Sequence, residues 1–324
     1  MLGLAALFWI AGRVAHTLLL LFGAIVVALL LRNAADLIAK GTRLGPRASL
    51  AMAGTFVALV LVGFVVLLGA QASAQFSSLS DQLPDAVDAF GNRIGVYGLW
   101  QDVVEFGKSS WMSELLGFTP NAIGAMASLV LVLAGGMFLA VDPDRYRDGL
   151  LLLVPSRQRD KVDDALADAG RALRLWLIGK LVTMVIVGAA TTAGLYAIGL
   201  ESALALGLIA GLLEFVPFVG PLVAFFPAAV IALSQGGGII WWVLGLYLCI
   251  QTLESYVLMP LIQERAVELP PALGLFALAA LWLVFGPLGA ILGVPLTVVL
   301  MVMVKKLYVG EALGESVHLP GDGT

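Results

Sequence analysis

Three ionisable side chains sit inside otherwise apolar runs: Lys180, Glu214 and Glu254. A charge at the centre of a bilayer costs at least about 2.5–3.5 kcal/mol, so such a group is expected to face a cavity or a partner. A buried carboxylate can load and release a proton, or ligate a cation together with freed peptide carbonyls. Glu254 has Gln251 three residues before it, on the same helical face. Glu214 lies one turn before Pro217. For Glu254 a transport role and a structural hydrogen bond weigh equally. Glu214 leans towards structure or gating, because it can lie shallow enough to reach water. Lys180 is expected to snorkel towards a polar boundary on its long aliphatic stem.

The second chemical feature is backbone. Phe215-Val-Pro217-Phe-Val-Gly220-Pro221 breaks one apolar run, and Val284-Phe-Gly286-Pro287-Leu-Gly289 breaks another. Proline removes an N–H and displaces the carbonyl four residues earlier. Hydrocarbon supplies no water to satisfy that carbonyl, so a break at membrane depth survives only beside protein or a wet cavity. The expected pathway set is therefore Glu214, Pro217, Gly220, Pro221, Gln251, Glu254, Gly286 and Pro287. No catalytic set and no metal site is expected. P-loop, HExxH and GxSxG signatures are absent, Cys249 is the lone cysteine, and the histidines are His16 and His318. No cofactor is implied.

The elements that must position these residues follow from hydropathy. The 324 residues are 60% hydrophobic and 12% charged, with a mean hydropathy of +1.01. That lies outside the range of soluble domains and reads as an all-α polytopic membrane protein. A net charge of −4, spread along the chain, gives no reason to expect a nucleic-acid partner. The N-terminus, without a basic leader or a convincing cleavage site, reads as a retained span or anchor.

Full spans are expected at Thr17–Leu31, 48–70, 121–141, 175–198 and 239–258. The lysines and arginines of 32–47 and 142–174 place those segments on the cytoplasmic side. Region 142–174 carries seven basic and seven acidic residues, and its Val162, Leu166, Ala169, Leu173 spacing predicts an amphipathic helix running into the membrane at Trp176. Its charges read most simply as a solvated face. Region 71–119 is acid-rich and reads as an exterior loop holding an amphipathic helix at Val87, Phe90, Ile94 and Tyr97. The domain sequence is thus 1–70 (N-terminal spans), 71–119 (exterior), 120–174, a transport core at 175–304, and a tail at 305–324. Trp241 and Trp242 are expected to anchor a span at the interface.

Segment Ala203–Leu233 has 31 residues, too few for two complete spans with a turn, which would need about 40. Pro217, Pro221 and Pro227 make it awkward as one. A re-entrant helical hairpin turning near Phe218–Gly220 fits better. Segment 272–304 has similar length, with Gly286-Pro287 at its middle. Charge bias puts both of its ends in the cytoplasm, whereas 203–233 opens outward. The expected architecture is about five full spans plus two oppositely oriented re-entrant hairpins, an inverted repeat. Gly207-x-x-x-Gly211 and Gly289-x-x-x-Gly293 supply small faces on which hairpin helices can approach closely. Two kinked, fully spanning helices are the plainer alternative.

At these residues the chain resembles the autoinducer-2 exporter (AI-2E) family. The matching pieces are Leu213-Glu-Phe-Val-Pro217-Phe-Val-Gly-Pro221 with Pro227, Gln251-Thr-Leu-Glu254-Ser-Tyr-Val-Leu-Met-Pro260, and Phe285-Gly-Pro-Leu-Gly-Ala-Ile-Leu-Gly-Val-Pro295-Leu. The likeness extends over almost the whole chain, including Leu83-Pro84 and Val154-Pro155. It departs near the start, where relatives often show two clear spans, and at Ala272, where they often carry a basic or polar residue. The resemblance implies a multi-pass protein of the bacterial inner membrane, usually oligomeric. Family members are linked to export of autoinducer-2, and others behave as sodium/proton antiporters. Three functions follow: a secondary exporter of a small polar metabolite, a monovalent cation/proton antiporter, or a membrane scaffold acting through 142–174 or 71–119. The implied partners are membrane lipid, a small polar substrate or a monovalent cation or proton, and further copies of the chain.

Overall fold

The computed structural model describes residues 2–42, 45–59, 63, 122–236, 238–260 and 270–310. Residues 71–119, where an exterior loop with an amphipathic helix was expected, residues 261–269 and those from 311 lie outside them. Among the described residues every regular element is helical. Four helices are long and apolar enough to cross a membrane, at Ala11–Gly41, Ser156–Ile198, Ile239–Leu258 and Ala272–Gly310, with a fifth if one bent pair is a single span. The chain is a multi-pass membrane protein.

Two compact units interleave in sequence. The first holds Met1–Leu59, Asn121–Gly179 and Ile262–Thr324, and the second Val60–Pro120 and Lys180–Leu261. In the first, helix α1 (Leu2–Gly41) is a single helix, so the compressed N-terminal stretch forms one element. Helix α2 occupies 46–59 and overlaps the expected second span at 48–70, of which 60–62 and 64–70 lie outside the described residues. Helix α3 (Ala122–Val141) packs on α1 through small residues. A Cβ on Gly136 would lie 2.6 Å from Val27, and one on Gly135 would lie 3.2 Å from Ala24. Side chains of any size would force these backbones apart. Arg32 Nε donates to the Ala140 carbonyl at 2.9 Å, satisfying an acceptor in the last turn of α3.

After α3 the chain turns by 91° into α4 (Pro143–Leu152). Pro143 excludes helical geometry from the residue before it, and Asp142 accordingly takes φ −142°, ψ 71°. A short 3₁₀ turn (Ser156–Gln158) leads into α5, Arg159–Ile198, in which the expected amphipathic helix and the expected span are continuous. The charges of its early turns are only partly solvated. Arg147 pairs with Asp163, Lys306 with Asp168 at 2.7 Å, and Arg174 with Asp36 at 2.9 Å. Ala169 and Ala172 pack against Val298 and Val302.

The second unit continues α5 from Lys180. Helix α5 ends in a Schellman cap: Gly199 at φ 80°, with Leu200 N–H reaching the Leu195 carbonyl and Gly199 N–H the Tyr196 carbonyl. Helix α6 (Ala203–Leu213), helix α7 (Val219–Gln235) and helix α8 (Ile239–Leu253) follow. Leu195, Leu206, Ala228, Ile231 and Val243 form their shared core. Trp241 and Trp242 are exposed.

Helix α9 (Pro271–Met303), in the first unit, is broken at Gly286, whose φ 62°, ψ −147° is open only to glycine. The chain doubles back there. A Cβ on Gly289 would lie 2.0 Å from the Leu281 carbonyl oxygen, and one on Gly293 would lie 3.2 Å from Leu278 Cα. In a straight helix residues eight apart are about 12 Å apart along the axis. The Gly289/Gly293 pair thus brings two arms of one hairpin together, as its spacing predicts.

Candidate functional site

The break between α6 and α7 is built from carbonyls and prolines. Val216 N–H still reaches Leu213, Pro217 offers no N–H, and Val219 N–H turns back to the Pro217 carbonyl at 2.8 Å. That closes a γ-turn on Phe218, at φ 66°, ψ −46°, the rare and strained form for a residue with a side chain. Gly220 then sits so close that a Cβ would lie 2.0 Å from the Leu213 carbonyl oxygen. Pro217 and Gly220 therefore shape the turn, and Pro221 opens α7 where a missing N–H costs nothing. Pro227, inside α7, leaves the Val223 carbonyl without its usual donor. The next carbonyl along, that of Ala224, accepts the Tyr247 hydroxyl at 3.1 Å. Phe225 holds the Tyr247 ring edge-on, centroids 5.4 Å apart.

Helices α5 and α6 cross at backbone contact. A Cβ on Gly207 would lie 2.8 Å from the Gly188 carbonyl oxygen, and one on Gly211 would lie 2.7 Å from that of Met184. The Gly207/Gly211 face thus meets α5 and not, as its spacing suggested, the other arm of its own hairpin. Along α5 the stripe runs Lys180, Met184, Gly188, Thr192, four apart, and each step has a counterpart on α6. One turn beyond Gly211 comes Glu214, and one turn before Met184 comes Lys180. The contact of the glycines sets the meeting of the charges.

Lys180 Nζ donates to Glu214 Oε1 at 2.7 Å and lies 3.9 Å from Glu254 Oε1. Gln251 Nε2 donates to Glu254 Oε2 at 3.3 Å. Glu214 is 1% exposed, Glu254 8% and Lys180 9%. Lys180 therefore does not snorkel, because a buried acid within reach is a better partner than a distant boundary. Glu214 does not lie at the surface either. Its second oxygen, Oε2, is buried and has no hydrogen-bond partner among the described residues. Glu254 opens a π-turn, Glu254–Leu258, in which its own carbonyl accepts from Met259 N–H five residues on. Such turns widen a helix locally and recur at functional sites.

A cavity with a free volume of about 10 Å³ adjoins this cluster, lined among others by Thr191, Glu214, Pro221, Tyr247, Gln251 and Glu254. That is room for one water-sized occupant. Four of the eight expected residues, Glu214, Pro221, Gln251 and Glu254, thus line one cavity. Gly286 and Pro287 belong to the other compact unit and form its break. Sequence reasoning missed Lys180 as a site residue. The four-residue stripe shared with Met184, Gly188 and Thr192 was the signal that could have found it. Among the described residues no three His, Cys, Asp or Glu side chains are placed to hold a metal ion. One lysine side chain thus faces two glutamate side chains in a buried cluster.

The sequence profile described as AI-2E family transporter matches residues 1–308. YrrI of Bacillus subtilis is 29% identical over 166 residues, covering 51% of this chain and 47% of its own. MT0215 of Mycobacterium tuberculosis is 32% identical over 166 residues, covering 50% of this chain and 45% of its own. The chain thus spans about half the length of these two relatives. The AI-2 transport protein TqsA of Escherichia coli is 22% identical over 278 residues, covering 81% of this chain and 79% of its own.

Proposed function

The chain belongs to the AI-2E transporter family, and we propose that it is a proton-coupled secondary transporter exporting a small polar metabolite across the bacterial inner membrane. The observation that carries the coupling is the Lys180–Glu214–Glu254 cluster. Two carboxylates and one ammonium, each more than nine-tenths buried, leave one negative charge without a counter-charge. An uncompensated charge in a low-dielectric interior is too costly to persist. A proton taken up by the carboxylate pair removes it. Release of that proton changes the charge beside the strained turn at Phe218, which gives the break a reason to move.

The two chain reversals, at Phe218–Gly220 and at Gly286, support re-entrant hairpins, one opening outward and one to the cytoplasm. In this reading freed peptide groups at a break serve the solute, and Gly286 and Pro287 are proposed as pathway residues. The cargo named for the relative TqsA, AI-2, is the first candidate. The exposed apolar faces meet lipid or further copies of the chain.

The test is transport of AI-2 by the full chain in proteoliposomes under an imposed pH gradient. Uptake should follow the gradient, and Glu254→Gln should lose at least about tenfold of it while the protein elutes and melts normally. Gradient-independent uptake, or unchanged uptake by Glu254→Gln, would remove the coupling assignment. A second reading, a monovalent cation/proton antiporter, is favoured by the same excess charge. It predicts recovery of a pH-sensitive dye on adding sodium or potassium to acidified vesicles.

A further inference from the structure

From the position of Lys180 we infer that it is a tethered counter-ion that closes the cluster to metal cations and so makes the proton its sole exchangeable charge. The inference rests on the proposed proton coupling and adds what sets its specificity. A monovalent metal cation serving two carboxylates would sit between them. That place is taken: Lys180 Nζ lies 2.7 Å from Glu214 Oε1 and 3.9 Å from Glu254 Oε1. The Gly188, Gly207 and Gly211 contacts hold the backbones of α5 and α6 together one turn away, which sets the base of the Lys180 side chain within reach of Glu214.

Among the described residues, the titratable or charged groups facing the cluster come from three helices. Helix α5 brings Lys180, α6 brings Glu214 at its end, and α8 with its π-turn brings Tyr247 and Glu254. Helix α7 brings none. The unpartnered Glu214 Oε2, in a residue 1% exposed, lines the cavity and is the oxygen open to a further occupant.

Two occupants compete for that oxygen. A sodium ion would stand a few ångströms from the fixed ammonium, and like charges at that separation repel strongly in an environment less polar than water. It would also need several oxygen ligands, where the cavity has about 10 Å³ and much of its wall, Val187, Ala210, Pro221 and Ile250, is apolar. A proton needs no further ligands and leaves a neutral acid beside the ammonium. It arrives as H⁺ from water and returns to water, so no other reactant is required. The selectivity comes from Lys180, not from the carboxylates, which alone would suit either occupant.

The experiment measures equilibrium binding of radioactive sodium to the purified full chain, with choline replacing sodium at constant ionic strength. Wild type should show no saturable binding. Lys180→Gln should gain it, with affinity raised on the order of 10²-fold or more and falling as the pH drops. Lys180→Arg, which keeps the charge, should stay without it. Should Lys180→Gln fail to fold, the double variant Lys180→Gln/Glu254→Gln, which keeps both Glu214 oxygens, takes its place. It carries the same net charge as wild type but no ammonium, so sodium binding by it supports the inference. Sodium binding by wild type overturns the inference, and so does its absence from whichever ammonium-free variant folds. Transport that ignores a pH gradient would instead remove the proposed function and leave the sodium result standing.

Discussion

Lys180 shows how far a side chain's role depends on what faces it. Alone on an apolar helix it reads as a snorkelling lysine, yet here its ammonium holds two acids from two other segments. Removing one member of a buried pair leaves the other uncompensated, so Lys180→Met should cost about 3–5 kcal/mol of stability. Lys180→Met with Glu214→Gln should recover most of that loss, as read from thermal unfolding in detergent. Equal losses in the single and double variants would mean that the pair does not interact. Glu214, Gln251 and Glu254 were legible in the sequence as candidates, because polar residues in apolar runs are costly and must be explained. Their shared partner was not legible. Pairing across separate segments depends on a crossing point, and the crossing is set by glycines whose own partner, α5, differed from the one their spacing suggested.

Among the elements, the two breaks carried the clearest sequence signal. Both Gly-Pro interruptions became chain reversals, at Phe218–Gly220 and at Gly286, because proline and positive-φ positions constrain the backbone wherever they occur. The glycines beside them differ in what they must bear. Added Cβ atoms at Gly220 and Gly289 would each lie 2.0 Å from a carbonyl oxygen, of Leu213 and Leu281, and backbone cannot step aside. Gly220→Ala and Gly289→Ala should therefore each lose about 1–3 kcal/mol or more. Gly245, with nothing within 4 Å of an added Cβ, is the control. Its alanine variant should match wild type or gain up to about 1 kcal/mol from helix propensity. Melting of the three variants side by side checks the ordering, and a destabilised Gly245→Ala would upset it. The 91° turn into α4 was beyond the sequence reading, which took 142–174 as one charged region.

For the whole molecule, hydropathy and basic-residue bias predict that the two breaks are approached from opposite sides of the membrane. In a Cys249→Ser background, Phe218→Cys should react with an impermeant thiol reagent added to one face and Leu288→Cys with reagent added to the other. Labelling of both from the same face would contradict the inverted repeat. Composition made the multi-pass character plain, since no soluble domain carries this much apolar sequence. It could not reveal that the chain divides into two compact units whose boundary falls within the continuous helix α5, because contact between distant segments leaves no local pattern. The central claim is that the buried cluster of one ammonium and two carboxylates holds one exchangeable proton. Infrared difference spectroscopy of the reconstituted full chain, titrated through neutral pH, reads it directly as the carbonyl stretch of a neutral carboxylic acid. One such titrating band should be present in wild type and missing from both Glu214→Gln and Glu254→Gln. A wild-type spectrum in which both carboxylates stay ionised throughout would contradict the account.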